Sequence, residues 1–144
     1  MSGLINSAGS RSGLIGYTEI QYEEGDWTPA SSGLTLTPSS GCKYTVIGNR
    51  VTVGAYITLS GSTSGDLIIS GLPFTNTGAS GSAGTIYIRD LASNITTGYA
   101  SIVIAAGTSF YIRRGGTTGN GPDMNDYMDA SSNFWFSLTY EIGA

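Results

Sequence analysis

The carboxylates are the side chains with the most evident capacity for chemistry. Glu23, Glu24 and Asp26 cluster near the start, with Asp66 and Asp90 further on. Two carboxylates flanking a glycosidic bond are enough to hydrolyse it, one as acid and the other as base or nucleophile. No spacing rule selects a pair from this set. Histidine is absent, which removes the commonest general base, the usual activator of a nucleophile and the commonest zinc ligand. The single cysteine, Cys42, has no imidazole to activate it and no partner for a disulfide. It is expected to be a small apolar filler. The chain is therefore not expected to be an enzyme or to carry a cofactor or metal.

Two other groupings point weakly to ligands. Asp123, Asn125, Asp126 and Asp129 crowd oxygen donors that could suit calcium. They lack the glycine and terminal glutamate of an EF-hand loop, so solvated loop acids are the expectation. The runs GASGSAG and GTTGNG are glycine-rich, but neither is followed by the lysine and helix of a phosphate-binding loop. They read as sheet connections.

Aromatic rings are the remaining candidates. Tyr56, Tyr87, Tyr111 and Trp135 fall on the non-core side of their strands by parity. Flat rings beside Ser, Thr and Asn can stack on a host surface glycan. Packing in an oligomer interface is the competing expectation. Trp27, inside EEGDWTP, is expected to be a buried plug at a corner between Gly25 and Pro29.

The elements that must position these residues are strands. Val51, Val53, Ala55, Ile57 and Leu59 alternate with polar or small residues, which predicts a half-buried strand. Gly48-Asn49 predicts a tight hairpin to a strand over 43–47. Further strands are predicted over 66–70, 85–90, 99–105 and 108–113. The last, over 134–142, sets Phe134, Phe136, Leu138, Tyr140 and Ile142 on one face, which suits a central core strand. A helical turn is expected at most over 123–128. About eight short strands separated by turn signals predict an all-β fold, an antiparallel β-sandwich of jelly-roll type.

Residues 1–16 are expected to be a separate extended docking arm, and 17–144 the β-sandwich domain. The arm repeats a Ser-Gly-Leu-Ile unit, placing Leu4, Ile5, Leu14 and Ile15 as apolar hooks that order on contact with a partner. Ile68, Ile102 and Val103 belong to strands with apolar residues of both parities. They are expected to form a subunit interface in a closed homo-oligomer. A locally two-layered core is the alternative. Only 11% of residues are charged and the net charge is −4, which argues against a nucleic-acid surface. No apolar run approaches the ~20 residues of a membrane span.

Taken in order, SGLINSAGSRSGLIG, YEEGDWTP, KYTVIGNRVTVGAYITL and GDLIISGLPF resemble a module of tailed-bacteriophage virion proteins. That module has an EGTWTP-like entry, a Y-T-x-I-G-N-x-V hairpin and an I-x-G-L-P-F turn. The resemblance covers residues 2–74. It implies a β-rich homotrimer on the virion, in tail-fibre tips or capsid-surface proteins. Such fibre modules normally follow a long shaft, whereas here Met1 stands almost at the module itself. The expectation is therefore a capsid decoration (cement) protein seated on the major capsid protein or another virion protein through its arm. A tail-fibre or head-fibre tip that binds a host glycan is the alternative.

Overall fold

The computed structural model describes residues 21–31, 35–60, 67–77, 83–91, 99–104, 107–115, 127–128 and 131–143. The expected arm over 1–16 and the acids at 123–129 lie outside the described residues. So do the two glycine-rich runs over most of their length.

Nine strands follow one another: β1 (Tyr22–Asp26), β2 (Ala30–Ser31), β3 (Thr35–Ile47), β4 (Arg50–Ser60), β5 (Ile68–Ser70), β6 (Ala83–Arg89), β7 (Tyr99–Ile104), β8 (Ser109–Gly115) and β9 (Asn133–Glu141). All pairings are antiparallel, in the order β1-β3-β4-β9-β6-β7-β8-β5-β2. The all-β antiparallel class expected from sequence is the one the chain adopts. A jelly roll would divide its strands between two sheets. Here the described strands join in one continuous sheet that curls over on itself.

The curl follows from distances. Phe136 on β9 and Phe110 on β8 are three strand steps apart, about 14 Å on a flat sheet. Their ring centroids lie 5.0 Å apart. The fold line runs between β6 and β7, which pair only at Ala83↔Val103 and Gly84↔Ile102 before diverging. Gly84 sits at this corner. A Cβ there would stand 2.7 Å from the Ser137 carbonyl oxygen of β9, so glycine is what lets β6 lie this close to β9 where the sheet turns. One layer is β1, β3, β4, β9 and β6; the other is β7, β8, β5 and β2.

Period-two patterning fills the space between them. Val51, Val53, Ala55, Ile57 and Leu59 point inward from β4, and Phe134, Phe136, Leu138 and Tyr140 from β9. Ile69, Ile102, Phe110 and Ile112 meet them from the second layer. β9 lies between β4 and β6, the central position its apolar face predicts. Gly48 has φ of 61° and Ile47 pairs with Arg50, a two-residue hairpin with glycine at its first central position.

Two segments cross between the layers and brace the open side of the curl. Residues 27–29 carry the chain from β1 in the first layer to β2 in the second. Trp27 is buried there. Its indole Nε1 donates to the Gly54 carbonyl at 3.2 Å, and its ring meets Phe136 edge-on. Residues 71–77 cross in the other direction, and Asn76 bridges to both Gly107 and Ile142. The Tyr140 hydroxyl donates to the Phe74 carbonyl at 3.1 Å, and Phe74 packs on Tyr44. Gly71 (φ 89°) lies against the Thr28 carbonyl, where any side chain would collide. Trp27, Tyr44, Gly71 and Phe74 thus belong to one structural joint, and Trp27 is the plug its neighbours suggest.

Candidate functional site

Each layer presents an outward face crossed by a row of large side chains. On the first layer, register sets Tyr56, Trp135 and Tyr87 side by side across β4, β9 and β6. Tyr56 and Trp135 stack at 4.2 Å with 12° between planes. Trp135 and Tyr87 are 5.7 Å apart and tilted by 44°, which opens a wedge between them. The wedge faces an open groove of about 310 Å³ with Thr85 and Ser137 on its wall. Tyr87 is the most solvent-facing of the three, at 63% exposed.

The parity that sends these rings outward also sends Thr58, Asn133 and Arg89 outward one step further along the same strands. Asn133 is the organiser of this second row. Its Oδ1 accepts from the hydroxyls of Tyr56 (3.2 Å) and Thr58 (2.8 Å). Its Nδ2 donates to Asp90 Oδ2 and to the Ser131 carbonyl, both at 3.0 Å. Arg89 Nε donates to the same Asp90 oxygen at 3.3 Å.

Asp90 joins its neighbour Arg89 on the outward face because its φ is 57°. Regular alternation would turn it inward. A left-handed residue with a side chain costs about 1 kcal/mol, although Asp tolerates it better than most. The Ser132 hydroxyl, fully buried, fixes this turn by donating to the Asp90 carbonyl at 2.8 Å.

On the second layer the row is Val103, Tyr111 and Ile68 across β7, β8 and β5. Val103 is 43% exposed, and Ile68 and Tyr111 are half-buried. The Arg113 guanidinium lies 4.5 Å from the Tyr111 ring centre, a cation–π arrangement.

Two sequence assignments change. Ile102, expected at a subunit interface, is fully buried in the chain's own core, because β7 turns its even positions inward. Only Ile68 and Val103 of that trio reach the outward face. Tyr111, grouped with the other aromatics, lies on the opposite layer and joins Ile68 and Val103 instead. Leu4, Ile5, Leu14 and Ile15 are outside the described residues. Arg89, Asn133 and Thr58 were not singled out from sequence. Their signal was two-residue spacing from Tyr87, Trp135 and Tyr56.

The acidic residues near the start make local pairs. Asp26 bridges to Lys43, Tyr44 donates to Glu23 at 2.7 Å and Tyr22 to Glu24 at 2.6 Å. The hydrogen bond to Glu23 holds the Tyr44 phenol above its ordinary pKa. Burial raises the Cys42 thiol, which lowers its thiolate fraction. Among the described residues no group of three His, Cys, Asp or Glu side chains could hold a metal ion. No helix there is long and apolar enough to cross a membrane.

Comparison with known protein families, with curated proteins and with solved structures finds no match for this chain.

Proposed function

We propose that this is a virion structural protein, a homotrimeric capsid decoration protein that docks through residues 1–16 and reinforces the shell by contact. The resemblance of YEEGDWTP, KYTVIGNRV and GDLIISGLPF to the phage module supports the virion assignment. The observation that carries the contact role is the apolar row Val103–Tyr111–Ile68 on an outward sheet face, a surface suited to a second copy of the chain. A protein that binds only the assembled shell stabilises it by mass action.

Deleting residues 1–16 and measuring retention on heat-stressed particles tests this role. Loss of retention, with no binding of the intact protein to host cells, is the expected result. Undiminished retention removes the arm as anchor. Saturable cell binding makes the second reading, a fibre tip that binds a host glycan, the main role. The exposed Tyr56–Trp135–Tyr87 row favours that second reading.

A further inference from the structure

The two parallel rows on the first layer make a more specific surface than rings alone. Residues i and i+2 of a strand stand about 7 Å apart, so the aromatic row and the Thr58–Asn133–Arg89 row flank a strip about one sugar ring wide. Thr85 and Ser137 stand on the other side of the rings. Asn133 uses both amide hydrogens and both acceptor positions within the protein. It is a positioning residue. Arg89 engages Asp90 through Nε, and Asp90 receives both of its side-chain bonds on Oδ2. The Arg89 Nη groups and Asp90 Oδ1 have no partner among the described residues. Both side chains are substantially solvent-facing.

We infer that the outward face of β4, β9 and β6 is a carbohydrate site for a neutral pyranose, stacked at the Tyr87–Trp135 wedge and read by Asp90 and Arg89. The inference rests on the second reading above and names its ligand class and its residues. A pyranose has a C–H face that matches an aromatic ring and an edge of hydroxyls. Asp90 Oδ1 accepts from those hydroxyls, and the Arg89 guanidinium donates to them. The opposite charges of Arg89 and Asp90 balance, so the site has no surplus positive charge to hold an acidic sugar.

A second protein copy is the rival occupant. It would have to desolvate Arg89 and Asp90 and supply partners for both. A sugar brings a hydroxyl for each. The left-handed backbone at Asp90 adds to the case, since it is what brings the carboxylate onto the ligand-facing side.

The chain contains two tryptophans, one buried (Trp27) and one in the wedge (Trp135), so their indole N–H signals in NMR give an internal control and a reporter. The full chain is titrated with the methyl glycosides of glucose, galactose, mannose and N-acetylglucosamine. The expected result is a saturable shift of the Trp135 signal with at least one of them, at millimolar concentration, with Trp27 unmoved. Tyr87→Ala and Asp90→Gly are each expected to weaken that response about tenfold or more. Glycine adopts the left-handed backbone freely, so Asp90→Gly should keep or raise the melting temperature while losing the sugar.

No shift with any of the four glycosides overturns the site. A Trp135 signal that moves with protein concentration alone overturns it in favour of a second copy. Binding of the intact protein to host cells without any glycoside response overturns this site and leaves the host-binding reading standing.

Discussion

The two outward faces are built alike and are chemically different. Each has a three-residue row at right angles to its strands, set by register: Tyr56–Trp135–Tyr87 on one layer and Val103–Tyr111–Ile68 on the other. The first is bordered by an amide, a carboxylate and a guanidinium held in one hydrogen-bonded set. The second row is two aliphatic side chains and a tyrosine, with Arg113 over the Tyr111 ring and the exposed Tyr99 further along β7 on the same face. Aliphatic side chains beside a tyrosine suit a contact with protein, with Arg113 and Ser101 at its border. Rings beside fixed donors and acceptors suit a ligand that carries its own hydroxyls. In the proposed reading, one curled sheet holds a self-association face and a sugar face back to back across a single core.

The strongest way to break the comparison is to remove the support both faces share. Trp27→Ala empties the plug between the layers and is expected to cost about 3–5 kcal/mol. Urea unfolding measures it, and both faces should fail together. An unchanged midpoint would place the indole outside the core.

Next in size is Val103→Asp. It should dissociate the proposed trimer while altering monomer stability by no more than about 0.5 kcal/mol. The Trp135 response to glycosides should survive, because the charge lies on the other layer. Loss of both properties, followed by light scattering and NMR, would mean that the faces are not independent.

The smallest effect concerns the brace they have in common. Burial pushes the Tyr140 phenol up to about 12, against an opposing contribution from its backbone bond with Phe74. An unfolded tyrosine ionises near 10, so above that pH the unfolded chain loses a proton that the folded chain keeps. This contribution to stability is complete below about pH 10 and is lost as pH rises through about 12. Tyr140→Phe should flatten that alkaline decline and cost about 1 kcal/mol at neutral pH through the lost hydrogen bonds. Tyr22 and Tyr44, also raised by their carboxylate partners, should leave part of the decline in place.

Much of the fold was legible because alternation is a local property. The faces of β4 and β9 follow directly from every second residue, and Gly48-Asn49 marks the hairpin before β4. Trp27 was legible as a plug from Gly25 and Pro29 beside it. Register between distant strands was not legible. The hairpin expected around Ala106-Gly107 sets Tyr111 near Val103, but nothing in the sequence says that it lies beside Ile68 rather than Trp135. Ile102 and Val103 are both apolar, so composition alone could not decide which faces water. Asp90 was visible only as a carboxylate. Its outward position depends on a left-handed backbone that Ser132, 42 residues away, secures. The motifs YEEGDWTP, KYTVIGNRV and GDLIISGLPF carry Trp27, Tyr44, Gly71 and Phe74, which build the joint between layers, so they bear more on the fold than on a binding role.

The most direct test of the contact role is the mass of the intact chain in solution. Light scattering across a range of concentrations should give a trimer for the native sequence and a single chain for Val103→Asp. A native protein that stays a single chain at every concentration would contradict the account.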